Sequence, residues 1–402
     1  GFLGKYGPKK QAITDEHRQK LRQHLIDVVL RQVVKRLENS LHHKIRLDLQ
    51  RIEERQRVGQ RGLPANQTAS SPDPLIHREI NPFDPATPSV PVKAEVSTAE
   101  LLKRNDIKGR LLILGEPGAG KTNELLMVAK ALFQQALQTD DVPIPIIFEL
   151  SEWSQKPGAP LSDWLSHQLK DKYSVPLAVS QYWIKQNQLL PLLDGLDELR
   201  RAENPVTSEA LDKQRQAKQI RCMRAINEFL DVHPSTSMVV CCRRREYEAL
   251  ERQGEYLKHL KGAIYLQELN DKQIQDYSTA YGRGPLWETL QSQPMLLALA
   301  RSPLFLLMLV VAYEGQPIQS SDELLDLYID RQLTDLTHQG AYPSGKAPTT
   351  EQMHHYLSWL ATKLETQDVT EFLIERLQPT WLDRRSNQAL YKQLFGLLIG
   401  LI

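Results

Sequence analysis

Gly115-Glu116-Pro117-Gly118-Ala119-Gly120-Lys121-Thr122 constrains this chain more than any other stretch. It fits G-x-x-x-x-G-K-[ST], directly after the apolar run Arg110 to Leu114 and directly before the helical pattern Asn123 to Ala136. Strand, loop and helix in that order is the context the motif requires. Glycines let successive backbone N–H groups turn inward around phosphate oxygens, and the N-terminus of the next helix adds partial positive charge. Lys121 is expected to reach the β- and γ-phosphates of a nucleotide, with the Thr122 hydroxyl on Mg²⁺. The bland alternative is a glycine turn that binds nothing.

A phosphate loop of this kind needs a carboxylate on a neighbouring strand to hold the metal. Leu189-Leu190-Pro191-Leu192-Leu193-Asp194-Gly195-Leu196-Asp197-Glu198 ends an apolar strand in acids at its C-terminal edge, where ligands sit in open α/β sheets. Asp194 is the expected metal-side acid, and Asp197 or Glu198 the group that orients or deprotonates an attacking water. A further apolar run, Met238 to Cys242, ends in Arg243-Arg244-Arg245, which brings a cation to the same edge. Arg243, the first of the three, is the candidate for sensing a γ-phosphate.

These strands belong to a longer alternation. Apolar runs at Arg110 to Leu114, Ile144 to Leu150, Leu189 to Leu193, Met238 to Cys242 and Ala263 to Leu266 are separated by helical patterns at Asn123 to Ala136, Leu161 to Lys172 and Arg215 to Leu230. Almost wholly apolar strands alternating with helices imply a parallel sheet covered on both faces. Ser162 is the expected cap of the second helix. Beyond Asn270 helices take over: Leu286 to Tyr313, broken by Pro294 and Pro303, then Ser321 to Thr337, then Glu351 to Glu365.

Before the sheet, His17 to Leu37 carries apolar residues every three or four positions and reads as an amphipathic helix, and Lys44 to Gln50 alternates as a half-buried strand does. Seven prolines between Pro64 and Pro91 exclude a long regular element there. The expected organisation is an N-terminal helix–strand module at 1–61, a Pro-rich linker at 62–99, a nucleotide-binding domain at 100–269, a helical domain at 270–345, a C-terminal helical segment at 346–393, and at 394–402 the start of an apolar tail.

The balance of 50 Lys and Arg against 49 Asp and Glu, net +1, offers no global attraction for nucleic acid, and no basic or aromatic stripe follows the phosphate loop. Residues 1 to 60 hold 14 basic and 7 acidic side chains, which read as a solvated helix face. Three cysteines, two of them adjacent, form no even disulfide framework and point to a reducing compartment. No internal run reaches the roughly 18 to 20 apolar residues of a spanning helix. The terminal run Leu394 to Ile402 carries Gly396 and Gly400 in G-x-x-x-G spacing behind Arg384, Arg385 and Lys392. Starting at Gly1 and stopping inside that run, the sequence reads as cut at both ends.

Taken in order, LLILGEPGAGKT at 111 to 122, LLPLLDGLDEL at 189 to 199, MVVCCR at 238 to 243 and RSPLFLLML at 301 to 309 resemble the NACHT family of the STAND group, signal-transduction NTPases related to AAA+ proteins. A small residue after the metal-side acid and another acid two places on, here Asp194, Gly195 and Asp197, are part of that resemblance. It implies an AAA+-like P-loop fold with an all-helical or winged-helix-like C-terminal part, Arg243 as sensor 1, Pro303 against the adenine, and ATP or ADP with Mg²⁺ as cofactors. Asn123 departs from the second Thr common after the lysine pair, but Thr122 already supplies the hydroxyl. The flanks, GKYGPK at 4 to 9, NSLHHKIRLDL at 39 to 49 and FLIERLQPTWL at 372 to 382, are similar to bacterial, especially cyanobacterial, members, in which a membrane-embedded apolar tail follows.

The resulting expectation is a slow ATPase switch, in the cytoplasm or tethered to its membrane face, whose ADP/ATP exchange controls opening and self-association. Its trigger and effector are not readable from these residues. The alternatives are a P-loop turnover enzyme, such as a kinase or motor, and a nucleotide-binding module without turnover. Asn270-Asp271-Lys272-Gln273 does not fit the base-reading motif of a GTPase, and L-S-G-G-Q is absent.

Overall fold

The computed structural model describes residues 14–39, 51–53, 90–92, 96–139, 142–153, 159–199, 208–315, 318–334, 346–366, 381–382 and 385–400. The strand expected at 44–50, the motif at 4–9 and most of those at 39–49 and 372–382 lie outside them. In chain order the elements begin with α1 (Asp15–Asn39), β1 (Arg51–Glu53), β2 (Val90–Val92), α2 (Thr98–Leu102), β3 (Arg110–Gly115), α3 (Lys121–Ala136), β4 (Ile144–Glu149), α4 (Leu161–Tyr173), α5 (Leu177–Lys185), β5 (Leu189–Asp194), α6 (Ser208–Val232), β6 (Met238–Arg243), α7 (Arg244–Glu251) and β7 (Gly262–Leu266). Then, among the described residues, come helices: α8 (Asp271–Ala280), α9 (Gly284–Ser292), α10 (Pro294–Ala300), α11 (Pro303–Ala312), α12 (Ser321–Thr334), α13 (Thr350–Thr366) and α14 (Arg385–Gly400).

The chain divides into two compact units, Gly1–Tyr328 and Ile329–Ile402. The first is built on one sheet of order β2-β1-β7-β3-β6-β5-β4. β7, β3, β6, β5 and β4 run parallel, as their apolar character on both faces predicts. The phosphate-loop strand β3 is central, and β6 lies between it and β5, so Arg243 comes from the strand flanked by those of the loop and of Asp194. The parallel sheet is what the alternation implied, and its order is the P-loop, AAA+-like arrangement that the family resemblance implied.

Two expectations need correcting. Ser162 does not cap α4: Pro160 occupies the cap position without a side-chain bond, and Ser162 sits in the first turn, its carbonyl accepting the Ser166 hydroxyl at 2.8 Å. Proline at the helix start fixes φ and needs no N–H, so the helix begins without a hydroxyl. The stretch 62–99 is also not wholly irregular. Val90–Val92 pairs antiparallel with β1 and includes Pro91 opposite Ile52, a position open to proline because β2 is the sheet edge. α2, opened by a Ser97–Glu100 capping box, begins before residue 99.

The N-terminal segment packs onto the sheet body rather than apart from it. β1 pairs antiparallel with β7, and Leu25, Ile26, Val29, Val33 and Leu37 of α1 enter the same core as α3 and β4. Burying such side chains contributes about 1.5–3 kcal/mol each. The nearly buried Arg22 donates to the Val142 carbonyl at 2.6 Å.

Beyond the sheet, the pattern from Leu286 to Tyr313 becomes three helices cut at its prolines, with Pro294 and Pro303 each in a helix's first turn. Among the described residues no single helix is long and apolar enough to cross a membrane. α10 and α11 together are apolar enough but bend by 116°, and Leu306, Leu307, Leu309 and Val310 are buried core residues of this unit. The second unit, among its described residues, holds helices and no strand. Trp359 faces Trp381 at 6.4 Å between ring centroids, and Asp330 lies 2.9 Å from His354 Nε2. The tail expected at 394–402 begins inside α14, where Leu390, Tyr391, Leu394 and Phe395 are about half exposed.

Candidate functional site

The expected residues converge on the C-terminal edge of the parallel strands. The loop from Gly115 to Gly120 leaves β3 and feeds α3, whose N-cap is Gly120. At Gly118 the backbone takes φ +76°, and an added Cβ would stand 2.6 Å from Ser302 Oγ. Only glycine meets both demands. The tip of the loop therefore lies on the start of α11: the Leu304 N–H points at the Gly118 carbonyl at 3.4 Å, and Ser302 Oγ is buried with no hydrogen-bond partner among the described residues. This contact brings Pro303, first residue of α11 and buried, next to the loop.

Lys121 folds back over the loop, its ammonium donating to the Gly115 carbonyl at 2.9 Å and the Glu116 carbonyl at 3.2 Å. The Thr122 hydroxyl donates to Asp194 Oδ2 at 2.8 Å. A hydroxyl from the helix start and a carboxylate from β5 thus share one point, the donor set that a hard divalent cation takes together with phosphate oxygens. Burial pushes the Asp194 carboxyl above the usual carboxylate range, Glu149 adds to the rise, and the Thr122 bond opposes it. An acid held that way in a cleft is short of positive charge, which a cation would supply.

After Asp194 the chain turns sharply. Gly195 takes φ +76°, and the turn is tied down by Leu196 N–H to the Cys241 carbonyl at 3.0 Å and Glu198 N–H to the Gly195 carbonyl at 2.9 Å. A Cβ at Gly195 would crowd Glu198, at 3.0 Å from its Oε2. The small residue after the metal-side acid therefore has a steric reason.

The turn separates the two remaining acids. The Asp197 side chain is only 2% exposed; its Oδ1 accepts the Arg243 backbone N–H at 2.8 Å, while Oδ2 lies 2.7 Å from Arg243 Nε without the alignment of a hydrogen bond. Glu198 is 45% exposed, with Oε1 3.9 Å from Arg243 Nη2. Desolvation, then Asp197 and Asp194, push its carboxyl upward against the pull of Arg243 and Lys121. Asp197 is thus an anchor for the Arg243 guanidinium, and Glu198 the acid that faces solvent.

Two neighbours of the site were not singled out in the sequence. Glu149, last residue of β4, is in register with Asp194 and pairs with Arg36 of α1 at 3.2 Å. Arg244 stacks over the Tyr265 ring at 4.3 Å and pairs with Glu248, holding the start of α7 to β7. Neither carries a motif signal, because a single acid at a strand end and one arginine of three look like solvated residues until the strands are paired. Cys222, Cys241 and Cys242 are free and buried.

Comparison with known proteins agrees with this geometry. The model of the NACHT domain family matches residues 110–283, from the first residue of β3 to the turn after α8. No curated protein matches the chain. Among solved structures, the Aeropyrum pernix Orc1 protein in complex with DNA is similar at 15% identity and TM-score 0.33, over 69% of this chain and 78% of that one. The S. cerevisiae Hsp104–ADP complex is similar at 17% identity and TM-score 0.31, over 67% of this chain and 45% of that one. Residues 110–283 match the NACHT domain family, whose general class is the STAND group of NTPases.

Proposed function

We propose that this protein is a nucleotide-gated switch that binds ATP or ADP and hydrolyses ATP slowly. The observation that carries the reading is the contact of the phosphate loop with α11. Gly118 supports the Ser302–Leu304 segment directly, so a change in the loop's phosphate contacts is felt at once by the helical part of the same unit. Only ATP has a γ-phosphate to engage Lys121 and Arg243, and a ligand shifts a two-state balance only through such a difference.

The residues divide the work by position. The loop amides from Glu116 to Gly120 and Lys121 bind phosphate. Thr122 and Asp194 would hold Mg²⁺, which supplies charge to offset the β- and γ-phosphates. Glu198, exposed and raised in pKa, orients the attacking water and accepts its proton, while Asp197 sets the guanidinium of Arg243. Pro303 packs against the base, a role that rests on family resemblance and on the nearness of Ser302 to the loop. Self-association on opening, and a setting in bacterial defence or stress signalling at the cytoplasmic face of a membrane, rest on resemblance alone.

The test is to denature freshly purified protein and identify the released nucleotide by chromatography, then follow turnover on added ATP. ADP near one per chain, with slow turnover that Glu198→Gln abolishes, is the expected result. An empty site with rapid turnover would replace the switch with a turnover enzyme, and bound ATP without turnover would leave a binding module.

A further inference from the structure

In-register neighbours on adjacent strands project to the same face of a sheet. Glu149 and Asp194 are such a pair, each the last residue of its parallel strand, so Glu149 is a second carboxylate on the face and edge where Thr122 meets Asp194. It is not left as a bare charge. Arg36, from the last turn of α1, reaches it at 3.2 Å; Glu149 is 22% exposed and Arg36 44%. Beside them Lys172 balances Glu152 at 3.0 Å. Burial pushes the Tyr173 pKa up to about 12 and holds its hydroxyl neutral, so it adds no charge here. The edge next to Asp194 is therefore neutral only while α1 is docked.

We propose that Arg36 is a positioning residue for the metal-binding edge: by offsetting Glu149 it makes docking of the N-terminal helix set how strongly the phosphate site takes a divalent cation. This rests on the nucleotide-binding reading above. Its physical content is a sign. Without Arg36 the edge gains a net negative charge, which favours Mg²⁺ and repels metal-free phosphates; without Glu149 the edge gains a net positive charge, which does the reverse. Releasing α1 from α3 would act as the loss of Arg36 does, linking whatever moves the N-terminal segment to the state of the nucleotide site.

The experiment uses the full chain, ADP carrying a fluorescent N-methylanthraniloyl group, and a Mg²⁺ titration at low salt, with EDTA for the metal-free affinity. Arg36→Gln is expected to tighten the Mg²⁺ midpoint about three- to tenfold and to weaken metal-free binding of the labelled ADP, with Glu149→Gln moving both in the opposite direction. The double variant and Arg36→Lys should lie near wild type. Shifts of the same sign in both single variants, as simple loosening of α1 would give, or no shift in either, overturn the proposal. Wild-type protein that takes up no labelled ADP at any Mg²⁺ concentration would overturn the nucleotide reading itself, an outcome visible before any variant is made.

Discussion

The two ends of β3 place arginine and lysine in opposite situations. At its N-terminal end Arg110 is 7% exposed and spends its guanidinium on four carbonyls, those of Thr236, Pro234, His233 and His259, at 2.5 to 3.4 Å. Two of them, His233 and Pro234, come directly after the C-terminus of α6, where a cation suits the helix dipole. At the C-terminal end Lys121 donates to two carbonyls of its own loop, and Arg243 balances two acids while 37% exposed. One end of the strand has consumed its charge in holding the fold; the other keeps its charges available to a ligand. Conserving polar satisfaction builds a scaffold, and leaving it incomplete builds a site.

The contrast can be broken by substitution. Lys121→Ala should remove ADP affinity on the order of a thousandfold by equilibrium binding, because a charge-assisted phosphate contact is lost. The melting temperature of the nucleotide-free protein should hardly move. Arg110→Met should do the opposite, costing about 3 kcal/mol in denaturant unfolding by stranding buried carbonyls, with nucleotide affinity within about twofold of wild type. A variant at the N-terminal end that lost binding while keeping its stability would erase the distinction.

Smaller effects sharpen it. Arg243→Ala should lower the ratio of ATP to ADP affinity about tenfold by competition binding, one charged hydrogen bond's worth. Asp194→Asn should stabilise the nucleotide-free protein by about 1 kcal/mol at pH 7.5 while removing its response to Mg²⁺. The sign follows from the raised folded pKa of Asp194. Its ionised form is disfavoured by folding, so the stability present below the unfolded carboxylate pKa, about 3.9, is lost as pH rises through the raised folded value. The variant's advantage in thermal melts should therefore vanish towards pH 3.5 and grow above it.

Most of the parallel sheet was legible because its strands are short apolar runs, buried on both faces and punctuated by helices. Runs at 110–114, 189–193 and 238–242 each extend by one residue in the fold, and that residue is Gly115, Asp194 or Arg243, the end that belongs to the site. Periodicity drops such residues because they break the apolar pattern. α5 and α8 were missed for their shortness, nine and ten residues, and β1 and β2 because three-residue strands exist only through their partners. Within the site, the motif named Lys121, Thr122 and Asp194 at once. It left Asp197 and Glu198 interchangeable, since two adjacent acids differ only in which one the turn at Gly195 buries.

Local chemistry was thus determined by the sequence alone: a loop whose glycines admit phosphate, a lysine and a threonine at a helix start, and acids and an arginine at strand ends. Those properties reside in residues adjacent along the chain, whose backbone conformation short-range sterics already dictate. The tertiary structure alone decided which of these groups are spent on one another. Asp197 belongs to Arg243, Gly118 to the start of α11, and Glu149 to Arg36 of a helix more than a hundred residues away. Such pairings depend on strand order and on which helix covers which face, and no local pattern encodes a partner that distant in the chain.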